Sequence, residues 1–266
     1  MRISRKLELP IRIVCTVWFL MSILLSPLFV DNGQAFVNIP DPEAVTPTDN
    51  QIKEPGLCIL GESWSDNFDN YATGSSLHGQ GGWKGWGNDP AGTAYTTDAY
   101  AYSIPNAVNI LTTSDLVHEY ADISSGEWVY TVWQYIPTNF TGQSYFIMLN
   151  QYNDAMTGLN WSVQVLFNST TNQVLNDGGV SGGSLPLIRG QWVELRLEID
   201  LTNDIGAFYY GNQLLYQGTW SGQVSGGGIT SIAAVDLFAN GASPIYYDDF
   251  SLMPEPMLVY LPLILK

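Results

Sequence analysis

The stretch WVELRLEID, from Trp192 to Asp200, decides the fold class. Successive side chains of a β-strand point to opposite faces of its sheet. Here one face is apolar and the other charged: Val193, Leu195, Leu197 and Ile199 against Glu194, Arg196, Glu198 and Asp200. This alternation predicts a half-buried strand whose apolar face packs on a second layer.

The carboxylates of this strand also raise a catalytic alternative. Residues two apart on a strand are separated by about 6.6 Å, so Glu198 and Asp200 could match the roughly 6.5–9.5 Å spacing of an inverting glycosidase. However, a regular apolar face needs no catalytic function to explain the pattern. We therefore expect no catalytic residue on this strand, and we expect Arg196 to pair with its acidic neighbours.

Short apolar runs rich in Val, Ile, Thr, Tyr and Trp recur between clusters of Gly, Asn, Ser and Asp. They predict strands at Ala107–Leu111, Glu127–Ile136, Tyr145–Tyr152, Trp161–Phe167, Trp192–Leu201, Ile205–Tyr210, Leu214–Thr219, Ile232–Leu237 and Ile245–Leu252. Gly211-Asn212 lies between two of these runs and predicts a hairpin. Residues 61–253 are therefore predicted to form one all-β domain, a two-sheet antiparallel β-sandwich.

The two ends of the chain have different compositions. Basic residues precede an apolar run at residues 13–30, and Ala35 closes a small-residue cleavage pattern, so residues 1–35 are predicted to be an export signal peptide. An uncleaved membrane anchor is the alternative. Residues 36–60 form a proline-rich linker. The apolar tail at residues 254–266 is too short to cross a bilayer and predicts a last strand or a sorting signal.

The charge and the cysteines exclude several classes of function. The chain has 9 Lys and Arg against 25 Asp and Glu, a net charge of −16, which disfavours nucleic acid and anionic lipid as partners. Cys15 lies in the predicted signal, so Cys58 has no intrachain disulfide partner. His78 and His118 are far apart, which disfavours a zinc site. We expect a secreted or cell-surface protein without a transmembrane span in the mature chain.

Three segments carry a family resemblance. They are DNFDNYATGSSLHGQGGW at 66–83, GQWVELRLEIDLTNDIGAFYYGNQLLYQGTW at 190–220 and YYDDFSL at 246–252. Their succession resembles the concanavalin A-like jelly rolls of exported bacterial proteins, in the laminin-G and glucanase superfamily. A galactose-binding-like jelly roll is the alternative. The resemblance implies a jelly-roll fold, which carries lectins, glycosidases, lyases and adhesive modules alike.

The resemblance also makes the absence of one motif informative. Glucanases of this fold carry Glu-x-Asp-x-Glu. Here Glu198-Ile199-Asp200 is followed by Leu201, Thr202 and Asn203, so the third carboxylate is missing. This departure argues against a glucanase site on the strand.

Aromatic residues are the candidates for binding sugars, because an exposed indole or phenol ring packs against the C–H face of a sugar and nearby amides orient the hydroxyls. One set lies in a glycine-rich loop, and the other could floor a concave groove. Core packing is the alternative for both. The candidates are Trp83, Trp86, Asn88 and Asp89 in the loop, and Trp133, Tyr135 and Trp161 on strands.

Acidic residues near both ends of the domain are the metal candidates. Asp66 and Asp69 lie near its start, and Asp248 and Asp249 lie near its end. Oxygen ligands from two such segments suit Ca²⁺, and the first and last strands of jelly rolls are commonly adjacent. The resembling carbohydrate modules hold a structural calcium near these ends, so the resemblance implies a structural Ca²⁺ here.

The sequence favours a non-catalytic protein over an enzyme, since it shows no catalytic constellation. We expect an exported carbohydrate-binding or adhesive surface protein, with a polysaccharide or cell-surface glycan as its partner. One alternative is a polysaccharide-degrading enzyme of the same fold, a glucanase or lyase. The other is a structural envelope protein without a ligand.

Overall fold

The computed structural model of the chain describes residues 57–58, 63–121, 123–255 and 257–258. The predicted signal peptide, most of the predicted linker and the end of the tail lie outside these residues. No helix in the described segments is long and apolar enough to cross a membrane.

The strands are numbered in chain order through the described residues. They are β1 (Leu57–Cys58), β2 (Trp64–Asp66), β3 (Trp83–Gly85), β4 (Tyr95–Thr97), β5 (Ala107–Ile110), β6 (Asp115–Glu119), β7 (Glu127–Tyr135), β8 (Gln143–Gln151), β9 (Asn160–Asn168), β10 (Gln173–Asn176), β11 (Ser184–Pro186), β12 (Trp192–Asp200), β13 (Ile205–Tyr210), β14 (Gln213–Thr219), β15 (Ala234–Phe238), β16 (Ile245–Pro254) and β17 (Met257–Leu258). Two short 3₁₀ turns, Trp86–Asn88 and Pro90–Gly92, follow β3.

Two antiparallel sheets pack face to face. The seven-stranded sheet has the order β11-β10-β9-β8-β15-β6-β3. The eight-stranded sheet has the order β14-β13-β12-β7-β16-β5-β4, with β2 paired to β16. The prediction of an all-β, two-sheet antiparallel sandwich is confirmed. The first and last strands of the sandwich, β2 and β16, are neighbours, as the sequence suggested.

The core lies between the two sheets and follows the alternation read from the sequence. The inward residues of β12, from Val193 to Ile199, are each at most 5% exposed. Opposite them, β7 buries Trp128, Tyr130 and Val132 on the same side. Arg196 on the outer face of β12 pairs with Glu198, as expected. Burial of these apolar side chains is the main favourable contribution to folding.

The hairpin between β13 and β14 turns at Gly211 and Asn212. Both residues have left-handed backbone angles, with φ of 55° and 64°. Two successive residues of this kind form the turn whose twist matches the right-handed twist of the flanking strands. The hairpin prediction from Gly211-Asn212 is therefore confirmed.

Segments of the predicted linker and of the apolar tail pair with each other. Leu57 lies opposite Leu258, and Cys58 lies opposite Met257, in an antiparallel two-stranded sheet of β1 and β17. The tail therefore forms a short strand, whose partner comes from the linker and not from the sandwich sheets. The remainder of the tail lies outside the described residues.

Replacement of Leu195 by Ala tests the predicted inward face of β12. Leu195 is fully buried, so its truncation leaves a cavity and should lower the free energy of unfolding by about 2–5 kcal/mol. Glu194→Ala, on the outer face of the same strand, is the matched control and should cost less than about 1 kcal/mol. The free energy of unfolding is measured by urea denaturation, and an equal decrease in the two variants would contradict the assigned faces.

Candidate functional site

The outer face of the seven-stranded sheet has a carboxyl group at its centre. Strand β15 runs between β8 and β6, and it sends Val235 and Leu237 into the core. Alternation therefore points Asp236 away from the core. In the register of the sheet Asp236 lies opposite Val117 on β6 and Ile147 on β8.

A groove of about 350 Å³ opens over this part of the sheet. Its walls are mainly aromatic, and its polar groups are carboxyls and amides. The aromatic side chains are Trp86, Tyr145, Trp161 and Phe238, the polar ones are Asp115, Gln164, Asp236 and Asn240, and Ile147 completes the lining. Clefts that are apolar with a few convergent polar groups are typical of ligand sites.

Two carboxyl groups meet in this groove. Asp115 lies on β6, diagonally across from Asp236 on the adjacent strand, and each of the two carboxyls shifts the pKa of the other. Asp236 is only 3% exposed, and its Oδ1 has no hydrogen-bond partner. Asp115 is the more exposed member of the pair. A buried polar atom without a partner is uncommon in native structures, and it marks this position as one to explain.

The environment of the pair keeps a proton on it. Burial raises the pKa of Asp236 well above its ordinary value of 3.8, and the neighbouring Asp115 carboxylate raises it further. Burial also raises the pKa of Asp115, although the hydrogen bond from Asp236 opposes that rise. Two carboxyls this close cannot both ionise readily. Asp236, the more deeply buried of the two carboxyls, therefore holds the shared proton.

One wall of the groove is built from aromatic rings of three different segments. The rings of Trp86 and Trp161 stack with centroids 6.2 Å apart and planes inclined by 25°. Tyr152 packs edge-on against Trp86 at 5.1 Å. Its hydroxyl accepts a hydrogen bond of 3.0 Å from the backbone N–H of Gly87. These contacts hold the Trp86 turn against the sheet, so the wall is positioned before any ligand arrives.

The opposite wall combines an aromatic pair with a polar group. Tyr145 stacks on Phe238 with ring centroids 6.0 Å apart. Burial raises the pKa of Tyr145, and the nearby Asp177 carboxylate raises it further, so the phenol stays protonated. The amide nitrogen of Gln164 donates to a carboxylate oxygen of Asp177 at 3.2 Å. This wall therefore offers a hydroxyl and an amide beside the carboxyl pair.

The four binding candidates of the glycine-rich loop lie in different environments. Trp83 is fully buried, and its indole N–H donates to Asp66 at 2.8 Å, so its ring belongs to the core. Trp86 lines the groove. Asn88 and Asp89 are exposed and lie outside the groove lining, and Asp89 accepts a hydrogen bond from the N–H of Ala91 in the following turn. Sugar binding at Trp86 and Trp161 stays a prediction.

The expected groove floor of Trp133, Tyr135 and Trp161 is not formed. Trp161 lies on β9 of the seven-stranded sheet, whereas the other two lie on β7 of the eight-stranded sheet. The loop after β4 packs against these two rings, which stay partly exposed. Tyr102 stacks on Trp133 at 4.1 Å, and Tyr100 stacks on Tyr135 at 4.4 Å. The correction has a simple cause, since alternation within a strand does not reveal which sheet the strand joins.

The predicted calcium ligands divide into two environments. Asp66 and Asp249 line a polar surface hollow of about 430 Å³ between β2 and β16. Asp248 is fully buried and accepts the N–H groups of Tyr102 and Ser103, at 2.7 and 3.0 Å. Asp69 accepts a hydrogen bond from the N–H of Asn106.

These hydrogen bonds already occupy much of the proposed donor set. Asp66 alone accepts hydrogen bonds from Phe68, Tyr71 and Trp83. Within the described residues no three His, Cys, Asp or Glu side chains are grouped so as to hold a metal ion. Structural Ca²⁺ at these residues stays a prediction.

The carboxyl pair and its polar neighbours were not among the sequence candidates. Asp115 and Asp236 are distant in the sequence, and β6 was not predicted as a strand. One signal was present, because Asp236 interrupts the apolar run from Ile232 to Phe238. A carboxylate inside a strand that is otherwise apolar needs a special environment.

Neither protein-family models nor curated proteins yield a match to this chain. Several solved structures match it. A carbohydrate esterase of Shiga toxin-encoding bacteriophage phi24B matches with a TM-score of 0.50 and 14% identity, over 75% of this chain and all (100%) of its own. An endo-β-1,4-glucuronan lyase from the fungus Trichoderma reesei matches with a TM-score of 0.47 and 11% identity, over 72% and 95%. An alginate lyase matches with a TM-score of 0.45 and 15% identity, over 73% of this chain and 98% of its own. These likenesses concern the fold.

The comparisons correct the functional expectation. A non-catalytic carbohydrate-binding or adhesive protein is the wrong expectation, because the solved structures that resemble this chain are mostly carbohydrate-active enzymes.

The pKa of Asp236 sets a pH dependence of stability. The folded chain binds this proton more tightly than the unfolded chain, so its contribution to stability is complete below about pH 4 and is lost as the pH rises toward the folded pKa. Asp236→Asn cannot ionise and should flatten this part of the decline. Unfolding by urea across the pH range measures the slope. An unchanged slope, equal to that of the exposed control Asp98→Asn, would contradict the raised pKa.

Proposed function

We propose that this protein is a polysaccharide-degrading enzyme and that the groove over β15 is its active site. The observation that carries the proposal is the proton-sharing pair of Asp115 and Asp236 at the groove floor. Strongly perturbed carboxyls in a cleft are candidates for acid–base catalysis, because an acid that keeps its proton near neutral pH can donate it to a leaving group.

The placement of the two carboxyls suits a joint role. Asp115 and Asp236 lie diagonally across adjacent strands, and each shifts the pKa of the other. They therefore act as one unit that carries a single proton, as carboxyl pairs do in aspartic proteases. Asp115, the more exposed member, faces the substrate, and Asp236 supplies and stores the proton behind it.

The walls of the groove suit a sugar chain. Trp86 and Trp161 offer indole rings to the C–H faces of sugar units, and the groove of about 350 Å³ admits a short segment of a chain. The hydroxyl of Tyr145 and the amides of Gln164 and Asn240 can orient sugar hydroxyls over the carboxyl pair. Because most of these residues are on strands, the site is rigid.

Two sequence patterns support more detailed proposals, one about where the enzyme acts and one about the superfamily of its fold. The basic and apolar pattern of residues 1–35 favours export, so we propose an extracellular or surface-associated polysaccharide as the substrate. The segments at 66–83, 190–220 and 246–252 favour a concanavalin A-like jelly roll as the superfamily. Neither expectation depends on the groove.

Replacement of the two groove carboxyls should abolish activity without unfolding the protein. Asp115→Asn and Asp236→Asn keep the side-chain shape but remove the acidic carboxyl proton. We therefore expect losses of about 10²–10⁴-fold in kcat. Degradation is measured as reducing-end release from a panel of soluble polysaccharides. The active wild-type protein should also lose activity at alkaline pH, as the pair gives up its proton.

Asp98→Asn is the matched control, since Asp98 is exposed and lies outside the groove. It should retain wild-type activity. Folding of every variant is checked by circular dichroism and thermal unfolding. Full activity of Asp236→Asn, or failure of the wild-type protein to degrade any polysaccharide in the panel, would overturn the proposal.

Replacement of Trp161 by Ala tests the role of the aromatic wall. If the indole ring binds sugar in both ground and transition states, its removal should raise KM by about tenfold while kcat changes little. Trp133→Ala removes a tryptophan from the outer face of the other sheet and is the matched control. A Trp161→Ala variant with an unchanged KM would show that the wall is only structural.

A further inference from the structure

We infer that the groove accepts a polysaccharide whose sugar units carry no carboxylate, and that it cleaves the chain by hydrolysis and not by elimination. This inference rests on the proposed function and decides between its two chemical forms. It follows from the charges around the carboxyl pair. Sugars with and without a carboxylate at C6 have similar shapes, so charge is the feature by which this groove can distinguish them.

The polar groups of the groove are acidic or neutral. The pair of Asp115 and Asp236 shares one proton and so carries about one negative charge. The Asp177 carboxylate lies behind Gln164 and Tyr145 on one wall. No lysine or arginine lines the groove among the residues that the structure describes. A uronate carboxylate bound over this floor would meet negative charge without a cation to offset it.

The lysine and arginine side chains of the described segments are Lys84, Arg189 and Arg196, and all three are engaged. Lys84 lies beside the groove wall, 5.7 Å from the centroid of the Tyr152 ring. It pairs with both Glu119 and Asp154, so this cluster carries a net negative charge.

Both arginines are held away from the groove. Arg189 donates to the carbonyl of Phe140 at 2.7 Å, in a loop at the end of the sandwich. Arg196 pairs with Glu198 on the eight-stranded sheet. Neither arginine is free to bind a substrate carboxylate here.

Elimination places a specific demand on a site. The proton removed from a uronate lies beside the sugar carboxylate, and its removal builds negative charge on that carboxylate, which needs positive charge or strong donors to stabilise it. The carboxyl pair would instead repel that charge. At an effective dielectric constant of about 20, two like charges about 8 Å apart weaken binding by about thirtyfold.

Hydrolysis matches the single proton that the pair holds. The bond between the anomeric carbon and the glycosidic oxygen breaks, and the proton of the pair passes through Asp115 to that oxygen. A water molecule forms the new bond to the anomeric carbon and returns one proton to the pair. The products are two hydroxyl-bearing fragments, and Asp115 and Asp236 end as they began. No charge has to develop on a substituent of the sugar.

Binding measurements separate this inference from the proposed function. The full-length Asp236→Asn variant, whose amide keeps the neutral character of the buried acid, is titrated calorimetrically with matched oligosaccharides. Three pairs of equal length differ only at C6: oligomers of glucose and glucuronate, of mannose and mannuronate, and of galactose and galacturonate. Trp161→Ala in the same background reports whether binding occurs in the groove.

At low salt, we expect one neutral oligomer to bind at least about tenfold tighter than its uronate partner, with binding lost in the Trp161→Ala background. Added salt should narrow the difference by screening the repulsion. Uronate binding as tight as neutral binding overturns the inference. Absence of groove binding by all six oligomers overturns it as well.

Activity of the wild-type protein supplies the second readout, with and without added calcium. Hydrolysis releases reducing ends alone, whereas elimination also produces the ultraviolet absorbance of an unsaturated uronate. Reducing ends from an uncharged polymer support the inference. Unsaturated products from a uronate polymer overturn it and leave the proposed function intact. No degradation of any polymer overturns the proposed function and, with it, hydrolysis; the binding result then decides only whether the groove prefers sugars without a carboxylate.

Discussion

The alternation of side chains along the central strands is the constraint on which both the core and the groove depend. Because β15 sends Val235 and Leu237 inward to fill the sandwich, Asp236 between them has to face outward. That outer face would ordinarily meet water. Here Trp86 and Tyr152 pack over a second small apolar cluster that includes Val117, and the carboxyl is buried beside Asp115. The proton-holding character of the pair follows from that burial.

The site combines carboxyls that stand on strands with an aromatic wall that comes partly from a turn. The carboxyls stand on neighbouring strands in fixed register, so their separation is set by the sheet. The aromatic wall comes partly from the turn at Trp86, which the hydrogen bond from Gly87 to Tyr152 holds in place. A groove built in this way presents its acid, its rings and its amides without rearrangement. Such preorganisation is the main means by which active sites stabilise a transition state.

Much of the fold could be predicted from the sequence, because strands such as β12 carry a period-two pattern that needs no partner to be recognised. The site could not. Strand β6 is short and polar at both ends, so Asp115 was not placed on a strand, and no local pattern reveals that β6 pairs with β15. Trp83 and Trp86 are three residues apart, yet one is buried in the core and the other lines the groove. Such distinctions depend on tertiary packing.

Asp115 and Asp236 share one proton at pH values well above the ordinary aspartate pKa of 3.8. Nuclear magnetic resonance titration of the carboxyl carbons, in protein labelled at aspartate and assigned with the two Asp→Asn variants, measures this directly. We expect one carboxyl of the pair to stay protonated well above the ordinary pKa of 3.8 and to lose its proton in a step that also shifts the signal of its neighbour. Two independent titrations near 3.8 would contradict it.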